Sequence, residues 1–418
     1  MYPGRFFSAA ILAGTAAILW GTSGAAFADF ALNLPEPATP GARDIYAIHM
    51  LTTSVVAIFS LLVFAVVGYA VYRFRKSRGF QPDQNLHKGW IGSWAWIVIP
   101  ALVLGVDLTI AGSAERVLEN LWNVPKDRDM MEIKVTGHQW WWEYEYLDHD
   151  LRVESRFLDQ ATAGDLYLRD VDNRLVLPTH TRIRFLNTSA DVNHAFWVSE
   201  LGFKKDAIAG YITETWAVLD REGVFRGQCA ELCGTWHARM PIVVEAVSAE
   251  RFEAWVNEQK LRTAEALAEA TADKVWTMDD LMEKGRNLYN KNCSACHQLD
   301  GKGLAPAFPP LVAGAPFSAP EEMARPLAER GFLKDGKITL GPLDKHMDIV
   351  INGIPATAMQ SWGQLNDLEI AAMVTYERNA WGNNSGEVVQ PADVARARPA
   401  SAAADMSENI ANPEDGQE

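Results

Sequence analysis

Cysteine is scarce in this chain. Four in 418 residues, at Cys229, Cys233, Cys293 and Cys296, form two close pairs far apart in sequence. A disulfide-stapled secreted protein scatters more of them, so this spacing points to metal or cofactor attachment. Positive charge is also short: 38 Lys and Arg stand against 53 Asp and Glu, a formal net charge of -15. That argues against nucleic acid as a partner and leaves basic partners or simple solubility. No phosphate-cradling glycine loop, no nucleophile beside a base and no parallel βαβ pattern stands out. What remains is a chain long enough for several domains, 48% hydrophobic, with two long apolar runs and two clusters of soft metal ligands.

The N-terminal residues 1–28 carry Arg5, an apolar run from Phe6 to Trp20 and small residues ending in Ala26-Phe27-Ala28. This reads as a signal peptide cleaved after Ala28, with an uncleaved membrane helix as the alternative; Gly14 and Gly21 interrupt the run. The mature arm and a transmembrane hairpin occupy 29–118. Residues 45–72 hold no charge and are long enough to span a bilayer. The basic cluster Arg73, Arg75, Lys76 and Arg78 then belongs on the cytoplasmic side. A second span, about 90–112, returns outward past Pro100 and Asp107. Both ends of the hairpin therefore lie outside the cytoplasm. An isolated Asp in such a span faces protein or water rather than lipid.

From Met131 the pattern alternates with period two, in Glu132-Ile133-Lys134-Val135-Thr136 and again in Thr181-Arg182-Ile183-Arg184-Phe185. Short strands between polar turns suggest an all-β sandwich or barrel over 119–250. Near its end stands GQCAELCGTWHARMP, with Cys229, Cys233, His237 and Met240. Thiolates, imidazole and thioether together suit copper, and two thiolates can bridge two copper ions. A second imidazole is then needed, and His194, in SADVNHAFWVSELG, is the best-placed candidate. A disulfide between Cys229 and Cys233, or a zinc site, is the alternative.

Residues 251–277 are Ala- and Glu-rich and read as a helix and linker. A fresh domain over 278–382 opens with a capping pattern at Thr277 and Asp280 and runs to Cys293-Ser294-Ala295-Cys296-His297. Cys-x-x-Cys-His attaches c-type haem: two thiols add to the vinyl groups and the histidine binds iron. The alternative is a redox Cys-x-x-Cys. A methionine sixth ligand would raise the potential. The candidates are Met323, Met347, Met359 and Met373, of which Met359 lies in an irregular loop before the last helix. The remainder, 383–418, is Ala-, Pro- and acid-rich and reads as a disordered tail.

Over about 40–250 the hairpin, GHQWWWEYEY, NHAFWVSELGFKKDAIAG and GQCAELCGTWHARMP together resemble subunit II of the haem–copper cytochrome c oxidases. The resemblance implies a cupredoxin domain carrying the dinuclear CuA centre. Its ligands would be His194, Cys229, Cys233, His237, Met240 and the backbone carbonyl of Glu231. The Glu231 side chain would reach a magnesium ion at the boundary with subunit I. Trp140 would be the surface tryptophan through which electrons arrive, and Asp191, Glu145 and Asp148 an acidic patch for a basic cytochrome c. Ser93 stands where the family commonly carries a glutamate at the mouth of a proton channel. Residues 278–382 resemble an all-α class I cytochrome c domain, with Cys293, Cys296, His297 and Met359 holding haem c.

The whole then resembles a caa-type oxidase subunit II in a bacterial cytoplasmic membrane, with its cofactor domains on the outer face. Such a subunit implies as partners oxidase subunit I, subunit III and a c-type cytochrome or upstream respiratory complex as donor. It would pass electrons from haem c to CuA and on to subunit I for proton-pumping oxygen reduction. The competing functional readings are the CuA subunit of a nitric oxide reductase and a membrane-anchored copper-delivery protein. Nitrous oxide reductase needs a further histidine-rich copper cluster, which nine histidines spread along the chain do not supply.

Overall fold

The computed structural model describes residues 33–81, 85, 88–125, 130–272, 274–355 and 357–398. The expected signal peptide, 1–28, lies outside the described residues. The chain divides into two compact units, Met1–Val256 and Asn257–Glu418.

The first unit opens with two apolar helices, α1 (Pro40–Arg73) and α2 (Trp90–Trp122). Their 34 and 33 residues reach about 50 Å at 1.5 Å per residue, well beyond the roughly 30 Å of hydrocarbon. Both extend past the apolar runs at their outer ends, where they meet the β-domain. Thr39 caps α1 by accepting from the Ala42 N–H at 3.0 Å, and its hydroxyl donates to the Leu201 carbonyl at 2.9 Å. Arg43 pairs with Asp220. The indole N–H of Trp216 donates to the Asn120 carbonyl of α2 at 3.1 Å. Between these ends, the large apolar side chains of both helices lie open for lipid or a partner.

The β-domain has ten strands: β1 (Met131–His138), β2 (Trp141–Tyr146), β3 (Leu151–Ser155), β4 (Leu175–Pro178), β5 (Arg182–Ser189), β6 (His194–Val198), β7 (Phe203–Ala207), β8 (Thr213–Val218), β9 (Gly223–Cys229) and β10 (Pro241–Val247). They form two sheets ordered β3-β2-β1-β5-β8 and β4-β10-β9-β6-β7. The pairs β1/β5 and β4/β10 are parallel and the others antiparallel. Alternation puts Ile133, Val135, Ile183 and Phe185 fully inside. Trp142 on β2 packs edge-on against Phe196 on β6, with ring centres 5.7 Å apart, and Phe185 meets Phe196 and Phe203. These aromatic contacts join the two sheets of a cupredoxin-like sandwich. A helix, α3 (Ala249–Ala270), follows and covers Tyr146 with Phe252 and Trp255.

The second unit is helical: α4 (Met278–Asn292), α5 (Glu321–Glu329), α6 (Leu343–Asn352), α7 (Asp367–Asn379) and α8 (Pro391–Ala397). Capping boxes start α4 at Thr277/Asp280 and α7 at Asn366/Glu369, as their residues predict. The two helices cross where Gly285 meets Ala372. A Cβ on Gly285 would stand 2.1 Å from the Ala372 carbonyl oxygen. We expect Gly285→Ala to destabilise this unit by about 2 kcal/mol or more, read as a lower denaturant midpoint.

The expected disordered tail is corrected at its start. Residues 383–398 pack on the helical unit: Val389 and Val394 are fully buried. The Gln390 side chain bonds both the N–H and the carbonyl of Trp276, at 2.9 and 3.0 Å. Arg398 donates to the Gly363 and Leu365 carbonyls and to Asp367. Average composition concealed this, because two valines and a few hydrogen bonds carry the docking. Residues 399–418 lie outside the described residues.

Candidate metal and haem-binding sites

Strand pairing assembles the first site. β6 lies beside β9 with Phe196 opposite Cys229, which brings His194 to the cysteine at the end of β9. The loop from β9 to β10 supplies the rest. Cys229 Sγ and Cys233 Sγ are 3.9 Å apart, and both are buried. A disulfide needs about 2.05 Å, so these are two free thiols. His194 Nδ1 is 3.8 Å from Cys229 Sγ, and His237 Nδ1 is 3.4 Å from Cys233 Sγ. Met240 Sδ lies 3.4 Å from Cys233 Sγ, and the Glu231 carbonyl 3.3 Å from Cys229 Sγ. The Glu231 side chain itself is exposed. All six candidate ligands thus converge on one pair of sulfurs. The set exceeds the four ligands of a structural zinc and fits two metal ions bridged by thiolates, each with one imidazole. The hydrogen bond from Cys233 draws the Cys229 thiol down toward thiolate, and the same bond holds Cys233 up.

A second layer fixes these ligands. His194 Nε2 is 2.9 Å from Asp191 Oδ1. A carboxylate only accepts, so Nε2 carries the proton and the Nδ1 lone pair faces the sulfurs. Asp191 also accepts from the N–H groups of Gln139 and Val192, both at 2.6 Å. Burial pushes its carboxyl up, but these bonds outweigh burial and hold it below the usual range. Gly137 leaves room for the imidazole, since a Cβ there would meet the His194 ring at 2.8 Å. We expect Asp191→Ala to weaken copper binding by about ten- to a hundredfold, measured by competition with a chelator.

The tryptophan triplet divides into three environments. Trp140 is only 9% exposed, less than a surface residue would be, and its indole N–H donates to the Cys233 carbonyl at 3.1 Å. Trp142 is core, and its N–H donates to the Met240 carbonyl at 3.3 Å. Trp141, also buried, stacks on His138 with ring centres 3.9 Å apart. Burial pushes His138 down to about 4. Gln139, passed over in the sequence, also donates to the Cys233 carbonyl, at 2.9 Å.

The three acids of the expected patch are spread out, and each has a partner within the domain. Asp148 accepts from the Glu132 N–H at the start of β1, while Asp191 accepts from Gln139 just past its end. Seven residues of strand separate those points by about 23 Å. Glu145 is paired with Lys134 at 2.7 Å.

The second site follows α4 directly. Cys293 begins a single turn, Ser294–His297, which carries Cys296 and His297. Both cysteines are free. His297 Nδ1 is 2.8 Å from the Pro309 carbonyl. A carbonyl only accepts, so Nδ1 carries the proton and Nε2 keeps the lone pair for iron. Burial lowers the pKa of His297, which favours the neutral ligand form. These residues fit covalent haem c. Among the candidate sixth ligands, Met347 and Met373 are core residues, and Met373 Sδ sits 3.8 Å from Cys293 Sγ. Met323 lies on α5. Met359 lies in the loop after α6. Its carbonyl accepts from the Ile354 N–H at 2.9 Å and its N–H donates to Thr357 Oγ1 at 3.1 Å.

Three family models match the chain in order. Residues 28–111 match the transmembrane domain of cytochrome c oxidase subunit II, and 131–247 match its periplasmic domain. Residues 280–376 match the model described as cytochrome c oxidase, cbb3-type, subunit III. A probable cytochrome c oxidase subunit 2 of Rickettsia prowazekii is 38% identical over 228 residues, covering 54% of this chain and 71% of its own. The cytochrome c oxidase subunit 2 of Arabidopsis thaliana is 35% identical over 244 residues, covering 56% and 92%. Among solved structures, the periplasmic domain of subunit II of the Bradyrhizobium japonicum cytochrome oxidase is 41% identical. It covers 33% of this chain and 98% of that one, with a TM-score of 0.31.

Proposed function

Because the chain belongs to the cytochrome c oxidase subunit II family, we propose which of its residues carry the electrons and where those electrons come from. It is the electron-accepting subunit of a terminal oxidase in the inner membrane, with its copper and cytochrome domains on the periplasmic face. It carries the dinuclear CuA centre and covalent haem c, and its partner is subunit I. The two groups supply one-electron carriers; the chain supplies ligands, burial and position.

In our reading the CuA ligands are His194, Cys229, Cys233, His237, Met240 and the Glu231 carbonyl. The single observation that carries it is the convergence of those six groups about two sulfurs 3.9 Å apart. Haem c attaches at Cys293 and Cys296, with His297 and Met359 as axial ligands. The exposed Glu231 carboxylate is left to hold magnesium against subunit I. Subunit III completes the assembly, and the donor is a basic c-type cytochrome or a respiratory complex carrying one, in keeping with the net charge of -15. The covalent tether keeps the cytochrome near CuA at an effective concentration of roughly millimolar.

Trp140 is the group through which electrons reach the copper. Its N–H bond to the Cys233 carbonyl supports this, because it joins the indole to a bridging ligand's own backbone. Trp140→Phe keeps a ring but loses that bond. In the intact oxidase we expect it to slow copper reduction about tenfold, or about 1.4 kcal/mol on the barrier, with the copper EPR signal unchanged. Stopped-flow reduction at the wild-type rate would remove Trp140 from the path.

A further inference from the structure

His346 on α6, and Glu377 and Arg378 at the end of α7, are buried in the helical unit and take no part in holding haem c. They form one network. Glu377 Oε2 is 2.8 Å from His346 Nε2, and an Arg378 nitrogen is 3.5 Å from His346 Nδ1 on the other side of the ring. A carboxylate only accepts and a guanidinium only donates, so Nε2 carries the proton, Nδ1 presents its lone pair and the imidazole is neutral. Arg378 has its own counter-charge in the partly exposed Glu387, and it donates to the Leu340 and Gly341 carbonyls at 2.6 and 3.3 Å. Together Glu377, His346, Arg378 and Glu387 carry one net negative charge, and the buried carboxylate among them is Glu377.

This network lies beside the haem-attachment turn. Met373, whose sulfur is 3.8 Å from Cys293 Sγ, precedes Glu377 by one helical turn, about 6 Å along α7. The buried Asn383 amide donates to the carbonyls of Glu377 and Leu311, at 2.8 and 2.9 Å, and Leu311 follows by two residues the Pro309 carbonyl that orients His297. The Glu377 charge is felt there: burial lowers the pKa of His297, and the Glu377 carboxylate pushes back against it. A carboxylate taken out of water against a neutral imidazole is costlier than a neutral amide in its place, so joining α6 to α7 does not account for it. In a low-dielectric interior a negative charge stabilises ferric haem, which is one unit more positive than ferrous. We propose that Glu377 is a fixed negative charge that lowers the reduction potential of haem c, with His346 and Arg378 as positioning residues that hold it. The inference rests on haem c attaching at Cys293 and Cys296. A lower potential at the cytochrome makes the onward step to CuA more favourable.

The test is a redox titration of haem c in the purified intact oxidase. Glu377→Gln keeps an acceptor for His346 and loses the charge. We expect it to shift the ferrous-to-ferric ratio at a fixed potential about tenfold toward ferrous, which is about 59 mV upward for a one-electron couple. Arg378→Gln leaves Glu377 and Glu387 without their cation, and its midpoint should move downward. Opposite signs are the signature of charge, because loosened packing would move both variants the same way. Shifts of one sign, or a ratio within about twofold of wild type in Glu377→Gln, would overturn the proposal. Should one variant fail to hold haem, the other decides: a fall in Glu377→Gln or a rise in Arg378→Gln is sufficient to reject it. A chain carrying Cys293→Ser and Cys296→Ser that still holds covalent haem would instead refute the attachment itself, which is a separate outcome.

Discussion

A Cys229→Ser variant of the intact oxidase keeps its haem c spectrum, loses its mixed-valence copper signal and falls in oxygen consumption by about a hundredfold or more. The size of the effect follows from what surrounds this sulfur. Cys229 Sγ faces Cys233 Sγ, His194 Nδ1 and the Glu231 carbonyl, three of the five ligand contacts in the site. A serine oxygen is hard and holds its proton, so it does not replace a bridging thiolate for copper. The haem ligands belong to the other compact unit, so their spectrum is the internal control. EPR of the purified complex decides it, and a surviving two-copper signal would overturn the ligand set.

Met359→Ala lowers the haem c midpoint potential by a few tenths of a volt, the scale over which axial ligands act. The matched control is Met373→Ala. That sulfur lies in the packed interior beside Cys293. Its truncation costs about 2–5 kcal/mol of stability and leaves the Met–iron absorption band in place. Redox titration and unfolding of both variants separate the two roles. If Met373→Ala shows the large potential drop instead, the axial assignment moves to α7.

Much of the site was legible because its chemistry is local. Cys229, Cys233, His237 and Met240 share one short loop, and Cys293, Cys296 and His297 share one turn, so spacing alone carries the signal. His194 was different. Its place depends on β6 pairing with β9, a register that a separation of thirty-five residues does not announce. The same limit applies to Asp191. As a loop acid it looked like part of a docking surface, whereas the fold turns it onto a ligand's far nitrogen. Gln139 carried no sequence signal, because its partner is a backbone carbonyl ninety-four residues away. The capping box at Thr277 and Asp280 was readable because it lies within four residues. The ordered segment at 383–398 was missed because Val389 and Val394 are isolated in a polar stretch and make no periodic pattern.

The ties between the hairpin and the sandwich bear on rate. Tunnelling slows steeply with distance, so a copper domain that tilted by a few ångströms would change its electron rate without breaking a bond. Thr39 and Arg43 fasten one leg of the hairpin, and Asn120 fastens the other. Two legs resist tilt where one would act as a pivot. The hairpin is therefore a bipod as well as an anchor: it sets the height of the Cys229 and Cys233 sulfurs above the bilayer before any partner docks.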